Sequence, residues 1–183
     1  MYDGSRLSYD ENVENTRKAV AMVRKYNAGI EAELGVMSGG EAGGNSAGGV
    51  KKVDMYTDPE LARKFVKETG IDALAASFGT AHGFYTAKPE LDFERIEKIK
   101  KMAGIPVVMH GGSGLSPDDY KEAIRRGVRK INYYSYMSKE ALQDIRSQIN
   151  ESSVQYFHDI ANIAVKAMEN NSEQAMRIFY GLN

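Results

Sequence analysis

Two kinds of apolar run alternate along the chain. One repeats every three or four positions and the other is short and continuous. Residues 10–25 place Val13, Ala19, Val20 and Val23 on one stripe, the pattern of an amphipathic helix. Residues 29–35 form a compact strand-like run that carries Glu31 and Glu33. Thr57, Asp58, Pro59 and Glu60 then read as a helix start, with a capping side chain, proline in the first turn and acids at the positive end of the dipole. That helix runs to Glu68 and stops at Gly70. A strand over 73–79, a helix over 93–102 and a strand over 106–110 follow. Ser116, Pro117, Asp118 and Asp119 open another helix, which Gly127 closes. Residues 130–135 are the last strand, helices fill the rest to about Phe179, and residues 1–3 form a strand stub. Such alternation predicts an α/β protein with parallel strands. No repeat or linker divides it, so 1–183 is read as a single domain.

Residues 36–51 interrupt the pattern, with Gly39, Gly40, Gly43, Gly44, Gly48 and Gly49. The bland reading is a linker. The stretch lies inside one strand–helix unit, however, where a long loop is usually a lid or binding loop, so we read a mobile active-site loop. Composition removes several alternatives. Net charge is -1 and the basic residues are spread evenly, so no nucleic-acid partner is expected. Cysteine is absent, which excludes disulfides and thiolate metal sites, so any metal must be held by His and carboxylate. No apolar stretch approaches the ~20 residues of a membrane span, and the polar start is no signal peptide. A cytoplasmic protein with no membrane partner is expected.

The chain has only three histidines, and two of them end apolar runs in glycine-rich turns: His82 before Gly83, and His110 before Gly111, Gly112, Ser113 and Gly114. Both imidazoles should emerge at the carboxyl edge of neighbouring strands, where catalytic groups collect in α/β barrels. Imidazole also suits zinc and similar cations. Taken singly, His82 could be a turn residue bonded to backbone. The matched placement of the pair favours metal ligands, although a catalytic zinc usually has three protein ligands. His158 falls on a helix and reads as a surface or packing residue.

The glycine-rich turn after His110 can converge backbone N–H groups on an anion, aided by the helix that follows. A phosphate-bearing substrate is expected there, with Asn132 and Ser135 on the last strand as further donors. Glu31 and Glu33 alternate, so they face one side, and in a buried strand two carboxylates need a metal or cations. Glu41 in the glycine-rich loop could swing toward substrate as a general acid or base. Four strands and a stub cannot close an eight-stranded barrel. The alternatives are a smaller doubly wound sheet or the back part of a barrel.

As an ordered set, these segments resemble the class II, zinc-dependent ketose-bisphosphate aldolases, which act on fructose or tagatose bisphosphate. The matching stretches are 2–5, 31–35, 56–59, 79–83, 91–93, 110–114 and 130–132. The resemblance implies a TIM (β/α)8 barrel of which this chain supplies the end of the fourth strand through the eighth, lacking the first three βα units. It implies that His82 and His110 are zinc ligands and that Glu33 is a carboxylate able to ligate the metal in an alternative position. Cobalt or iron could replace zinc. Glu41 matches the mobile-loop proton shuttle, and Asn132 the amide that contacts the enediolate. Gly83, Gly111, Gly112, Ser113 and Ser135 fall in the segments that bind the phosphate of the dihydroxyacetone-phosphate half with an accompanying monovalent cation, and Asp3 matches a pocket aspartate. The implied activity is cleavage of a ketose 1,6-bisphosphate to dihydroxyacetone phosphate and an aldehyde such as glyceraldehyde 3-phosphate, in carbohydrate metabolism such as glycolysis. A homo-oligomer, dimer or tetramer, is also implied.

Three departures qualify that expectation. The family's His-x-Asp-His segment, with the third ligand and an acid/base aspartate, has no counterpart in 1–183, so this chain alone is expected not to complete the reaction. Tyr134 and Tyr136 stand where the family has small polar or acidic residues that help choose the second half of the substrate. Thr86 stands where a basic residue is usual, with Lys88 close by. Two other readings are a different metal-dependent phosphosugar barrel enzyme, such as an epimerase, and a non-catalytic half-barrel that pairs its strand edge with another chain.

Overall fold

The computed structural model describes residues 1–36, 56–85 and 87–182. The glycine-rich stretch with Glu41, and Thr86, lie outside the described residues. The elements run β1 (Tyr2–Asp3), α1 (Tyr9–Arg24), β2 (Glu31–Leu34), α2 (Pro59–Thr69), β3 (Ala73–Ala76), α3 (Phe93–Ala103), β4 (Val107–Met109), α4 (Pro117–Arg126), β5 (Val128–Ile131), α5 (Ser135–Gln148) and α6 (Phe157–Tyr180).

Local chemistry sets most of these ends. Ser8 and Glu11 form a capping box at α1, and Ser116 and Asp119 form one at α4. Asp58 caps α2 ahead of Pro59, and Asp92 caps α3. Gly70 and Gly104 end their helices in the left-handed conformation, which costs glycine little.

The five strands pair in parallel in the order β1-β2-β3-β4-β5. Each strand therefore lies beside its sequence neighbour, with a helix in every connection. A doubly wound sheet needs a point where strand order reverses, and these strands have none. Consecutive order with helices in every crossover is the winding of a barrel wall.

Period-two alternation gives the sheet two unlike faces. Ala32, Leu34, Leu74, Val107 and Met109 join Phe65, Ile96 and Ile99 in the hydrophobic core beneath the helices. Along the other face the register runs Asp3, Glu33, Ala75, Val108 and Lys130. Asp3, Glu33 and Lys130 place charged side chains on that face. Buried Asn12 of α1 donates to the Glu33 carbonyl at 3.0 Å, which locks α1 to the strand that carries the carboxylates.

The strands are shorter than the runs that predict them, and the last is displaced. Residues 130–135 were expected as that strand; it is Val128–Ile131. Gly127 closes α4 and the chain enters the sheet at the next residue. Asn132 lies just past the strand, and Ser135 is the first residue of α5. Tyr133 leaves the ladder to pack edge-on against Phe179, at 6.1 Å between centroids.

Candidate functional site

Four parallel strands deliver side chains to one edge of the polar face. Glu31 and Glu33 come from β2, and His110 follows β4. Lys130 comes from β5, and His82 lies in the loop after β3. Alanine at 73 and 75 makes the meeting possible, because β3 separates β2 from β4 yet raises no bulk between them. The carboxylates of β2 thus reach across β3 to the imidazole of β4.

His110 is only 3% exposed, and carboxylates hold both its nitrogens. Nε2 donates to Glu31 Oε1 at 2.8 Å, and Nδ1 lies 3.0 Å from Glu33 Oε2. Glu31 in turn accepts from Lys130 Nζ at 2.7 Å. Burial pushes the imidazole's pKa down, but the two carboxylates outweigh it and raise the group to about 9. Burial likewise pushes Glu31 up, and His110 and Lys130 together bring it below the ordinary carboxylate range. The cluster is one cation held between two anions, with a second cation on the outer carboxylate.

One atom in it is poorly served. Glu33 Oε2 is buried and has no aligned donor; the His110 N–H beside it is close but off line. The His82 ring stands next to His110, 5.6 Å between centroids and tilted by 44°. Two imidazoles and an underused buried carboxylate are a donor set suited to a divalent cation. Among the described residues, no three His, Asp or Glu form a ready cage. Glu31 and Glu33 sit on opposite nitrogens of one ring, so a metal on either nitrogen would displace one carboxylate and leave the other to orient the ring.

Asp3, in register with Glu33, completes this edge. It is exposed and accepts from Ser5 N at 3.0 Å and Ser5 Oγ at 2.7 Å. Burial is the largest single influence and raises its pKa, but the Ser5 bonds with the fields of His110 and His82 together bring it below its ordinary value.

The turn after His110 is held by side chains that sequence reasoning missed. Tyr85 donates to the Gly111 carbonyl at 2.7 Å, and Tyr120 donates to the Gly112 carbonyl at 2.5 Å. Burial pushes the Tyr85 phenol up to about 12 and Tyr120 higher still, so both stay protonated donors. Gly112 N–H is spent on the Asn132 carbonyl at 3.1 Å, which ties the turn to the end of β5. Gly111 has φ 61°, and a Cβ there would strike the Ala81 carbonyl, so only glycine fits. Buried Ser113 follows.

Of the predicted residues, the structure gathers His82, His110, Glu33 and Asp3 on one sheet edge. Gly111, Gly112, Ser113 and Asn132 are tied together beside them. Gly83 and Ser135 line a common cavity next to the turn. His158 sits apart, stacked on Tyr156 at 5.4 Å. Glu31 and Lys130 enter as members of the cluster. The spacing of Glu31 and Glu33 foretold a shared face, but nothing local showed Lys130, distant in sequence, reaching the same carboxylate.

The family model for class II fructose-bisphosphate aldolase matches residues 1–183. The YdjI aldolase from Escherichia coli K12 is 31% identical, superposes with a TM-score of 0.81, and is matched over 98% of this chain and 60% of its own. A Coccidioides immitis protein assigned as a fructose-1,6-bisphosphate aldolase is 30% identical, with a TM-score of 0.83 over 98% of this chain and 61% of that one. A fructose-bisphosphate aldolase from Campylobacter jejuni, 23% identical, shares the fold with a TM-score of 0.76, over 99% of this chain and 60% of its own. The chain thus spans about 60% of the length of these solved structures.

Proposed function

Because the chain belongs to the class II fructose-bisphosphate aldolase family, we propose that its histidine–carboxylate edge is the working part of a zinc-dependent carbon–carbon lyase. The reaction is cleavage of a ketose 1,6-bisphosphate to dihydroxyacetone phosphate and an aldehyde such as glyceraldehyde 3-phosphate. The observation that carries this reading is His110, bracketed by Glu31 and Glu33, with His82 beside it.

His82, His110 and Glu33 are the residues that would hold the metal, and the orphaned Glu33 oxygen is the feature that fits it. Zinc, or cobalt or iron in its place, supplies Lewis-acid polarisation of the ketose carbonyl. Every other task falls to the protein. Glu31 keeps the His110 ring oriented through its hydrogen bond, backed by Lys130. Asn132, at the end of β5, holds the developing oxyanion of the donor half. Glu41 moves the proton at the carbon that loses its partner. Asp3 closes the pocket on the β1 side.

Phosphate would be held by Gly83, Gly111, Ser113 and Ser135, with a monovalent cation sharing the charge, while Gly112, whose N–H is engaged by the Asn132 carbonyl, shapes the turn. The amino end of α4 is a poor contributor, since Ser116 and Asp119 cap it and Asp118 adds a second acid. The amino end of α5 is the better one. Ser135 is its first residue, and Tyr134 ahead of it makes no side-chain cap bond. Fixing the phosphate aligns the scissile carbon with the groups that act on it.

Calorimetric titration of dihydroxyacetone phosphate into the zinc-loaded chain tests the proposal. One site is expected, lost on chelation. Ser113→Ala should weaken it roughly tenfold, as removal of a hydrogen bond to a charged group does. No binding to the wild-type chain, or equal binding with and without metal, would overturn it.

A further inference from the structure

The chemistry above makes no use of Tyr136, yet the segments around the substrate turn converge on it. It is the second residue of α5, a helix whose amino end has no side-chain cap bond. Its ring packs edge-on against Phe84, with 5.3 Å between centroids and 61° between planes. The ring also lies against Gly114, where φ is 89° and a Cβ would strike it, so only glycine fits. The Tyr136 hydroxyl accepts from Tyr85 N–H at 3.4 Å, and the Tyr85 hydroxyl donates in turn to the Gly111 carbonyl.

Two features give these contacts a purpose. Phe84 follows Gly83, Gly114 follows Ser113, and Tyr136 follows Ser135. Gly83 and Ser113 are thus held through their successors, Ser135 through Tyr136 itself, and Gly111 through Tyr85. One side chain joins three segments far apart in sequence, each carrying a group assigned to the donor phosphate. Little else could take over this task. Cavities of about 530 and 320 Å³ share Gly114, Leu115 and Tyr136 in their linings, so the ring borders space in both. A smaller side chain would enlarge that space and leave Gly114 unsupported, because the surroundings of a lost side chain relax only in part. Residue 136 stands where the family helps choose the second half of the substrate, but in this chain its contacts run to the segments of the donor phosphate.

Resting on the aldolase reading, we infer that Tyr136 is a positioning residue for the donor phosphate. Its ring and hydroxyl hold Gly83, Ser113 and Ser135 at the spacing that one phosphate group fills, and it acts through them. Affinity rises because these groups are ordered before the anion arrives, which cuts the cost of ordering them on binding. No proton moves and no bond forms at Tyr136.

Dihydroxyacetone phosphate, titrated by calorimetry into the zinc-loaded chain, is the probe. Tyr136→Leu removes both ring and hydroxyl and should weaken it about tenfold, the scale of a lost preorganising contact. Tyr136→Phe keeps the ring and should weaken it only about threefold, as loss of one long neutral hydrogen bond does. In that variant the Tyr85 amide should exchange its hydrogen faster than in wild type. Zinc affinity should match wild type in both variants, since His110 and Glu33 stand on the sheet rather than in this contact. A merely structural loosening would weaken zinc as well. Phosphate binding indifferent to Tyr136→Leu, or zinc and dihydroxyacetone phosphate weakened alike, overturns the inference and leaves the aldolase reading intact. If Tyr136→Leu does not fold, unchanged binding by Tyr136→Phe with unchanged exchange at Tyr85 overturns it instead. Failure of the wild-type chain to bind dihydroxyacetone phosphate would sink the aldolase reading, and this inference with it.

Discussion

At the scale of single residues, His110 decides how the chain responds to pH. Its ordinary pKa of about 6.5 is raised to about 9 by Glu31 and Glu33 against the pull of burial. A raised folded pKa means the stabilisation is complete below about 6.5 and is lost as pH climbs through about 9. The metal-free chain should therefore show a falling urea midpoint between neutral pH and pH about 9, and Glu31→Gln should flatten that fall. The same proton must leave before a metal can take a nitrogen, so zinc affinity should rise with pH over this window. Tyr120 offers a second test. Tyr120→Phe strands the Gly112 carbonyl, which should cost about 1–3 kcal/mol in denaturant unfolding and weaken dihydroxyacetone phosphate binding, while zinc affinity stays unchanged. Much of the residue-level site was legible. Period-two spacing put Glu31 and Glu33 on one face, and the glycine turns marked His82 and His110. The tyrosines that hold the turn were not legible, because Tyr85 and Tyr120 act through backbone carbonyls, which carry no side-chain signal in the sequence.

At the scale of elements, the helix starts were the clearest signal. Asp58 before Pro59 and Ser116 before Pro117 cap helices that begin where the sequence says they do. Ser116→Ala should cost about 1 kcal/mol of stability, as loss of a serine cap usually does, readable as a lowered denaturant midpoint. The final strand was misread for a physical reason. Tyr133 and Tyr134 have high strand propensity, but Tyr133 packs against Tyr120 and Phe179 and Tyr134 leads into α5. Tertiary packing outweighed local preference. The element that matters most to the site is β3, whose small side chains let its neighbours meet across it. Ala75→Val adds bulk to a fully buried position in register with Glu33 and Val108. It should cost about 1–3 kcal/mol from overpacking and push Glu33 off His110, lowering the imidazole's pKa in an NMR titration.

For the molecule as a whole, strand order was the open question, since four runs and a stub fit either of two windings. Pairing in strict sequence, with no reversal, settles it for a barrel wall. The family match over 1–183 agrees. Among the described residues no helix is long and apolar enough to cross a membrane. The polar face of this wall brings together groups from β1, β2, β3, β4 and β5, and our central claim is that they hold one divalent cation. A zinc competition titration of the chain, wild type beside His82→Ala, tests that claim most directly. One zinc per chain, weakened at least about tenfold by the substitution, is the predicted result. No zinc binding, or equal binding by both proteins, would contradict it.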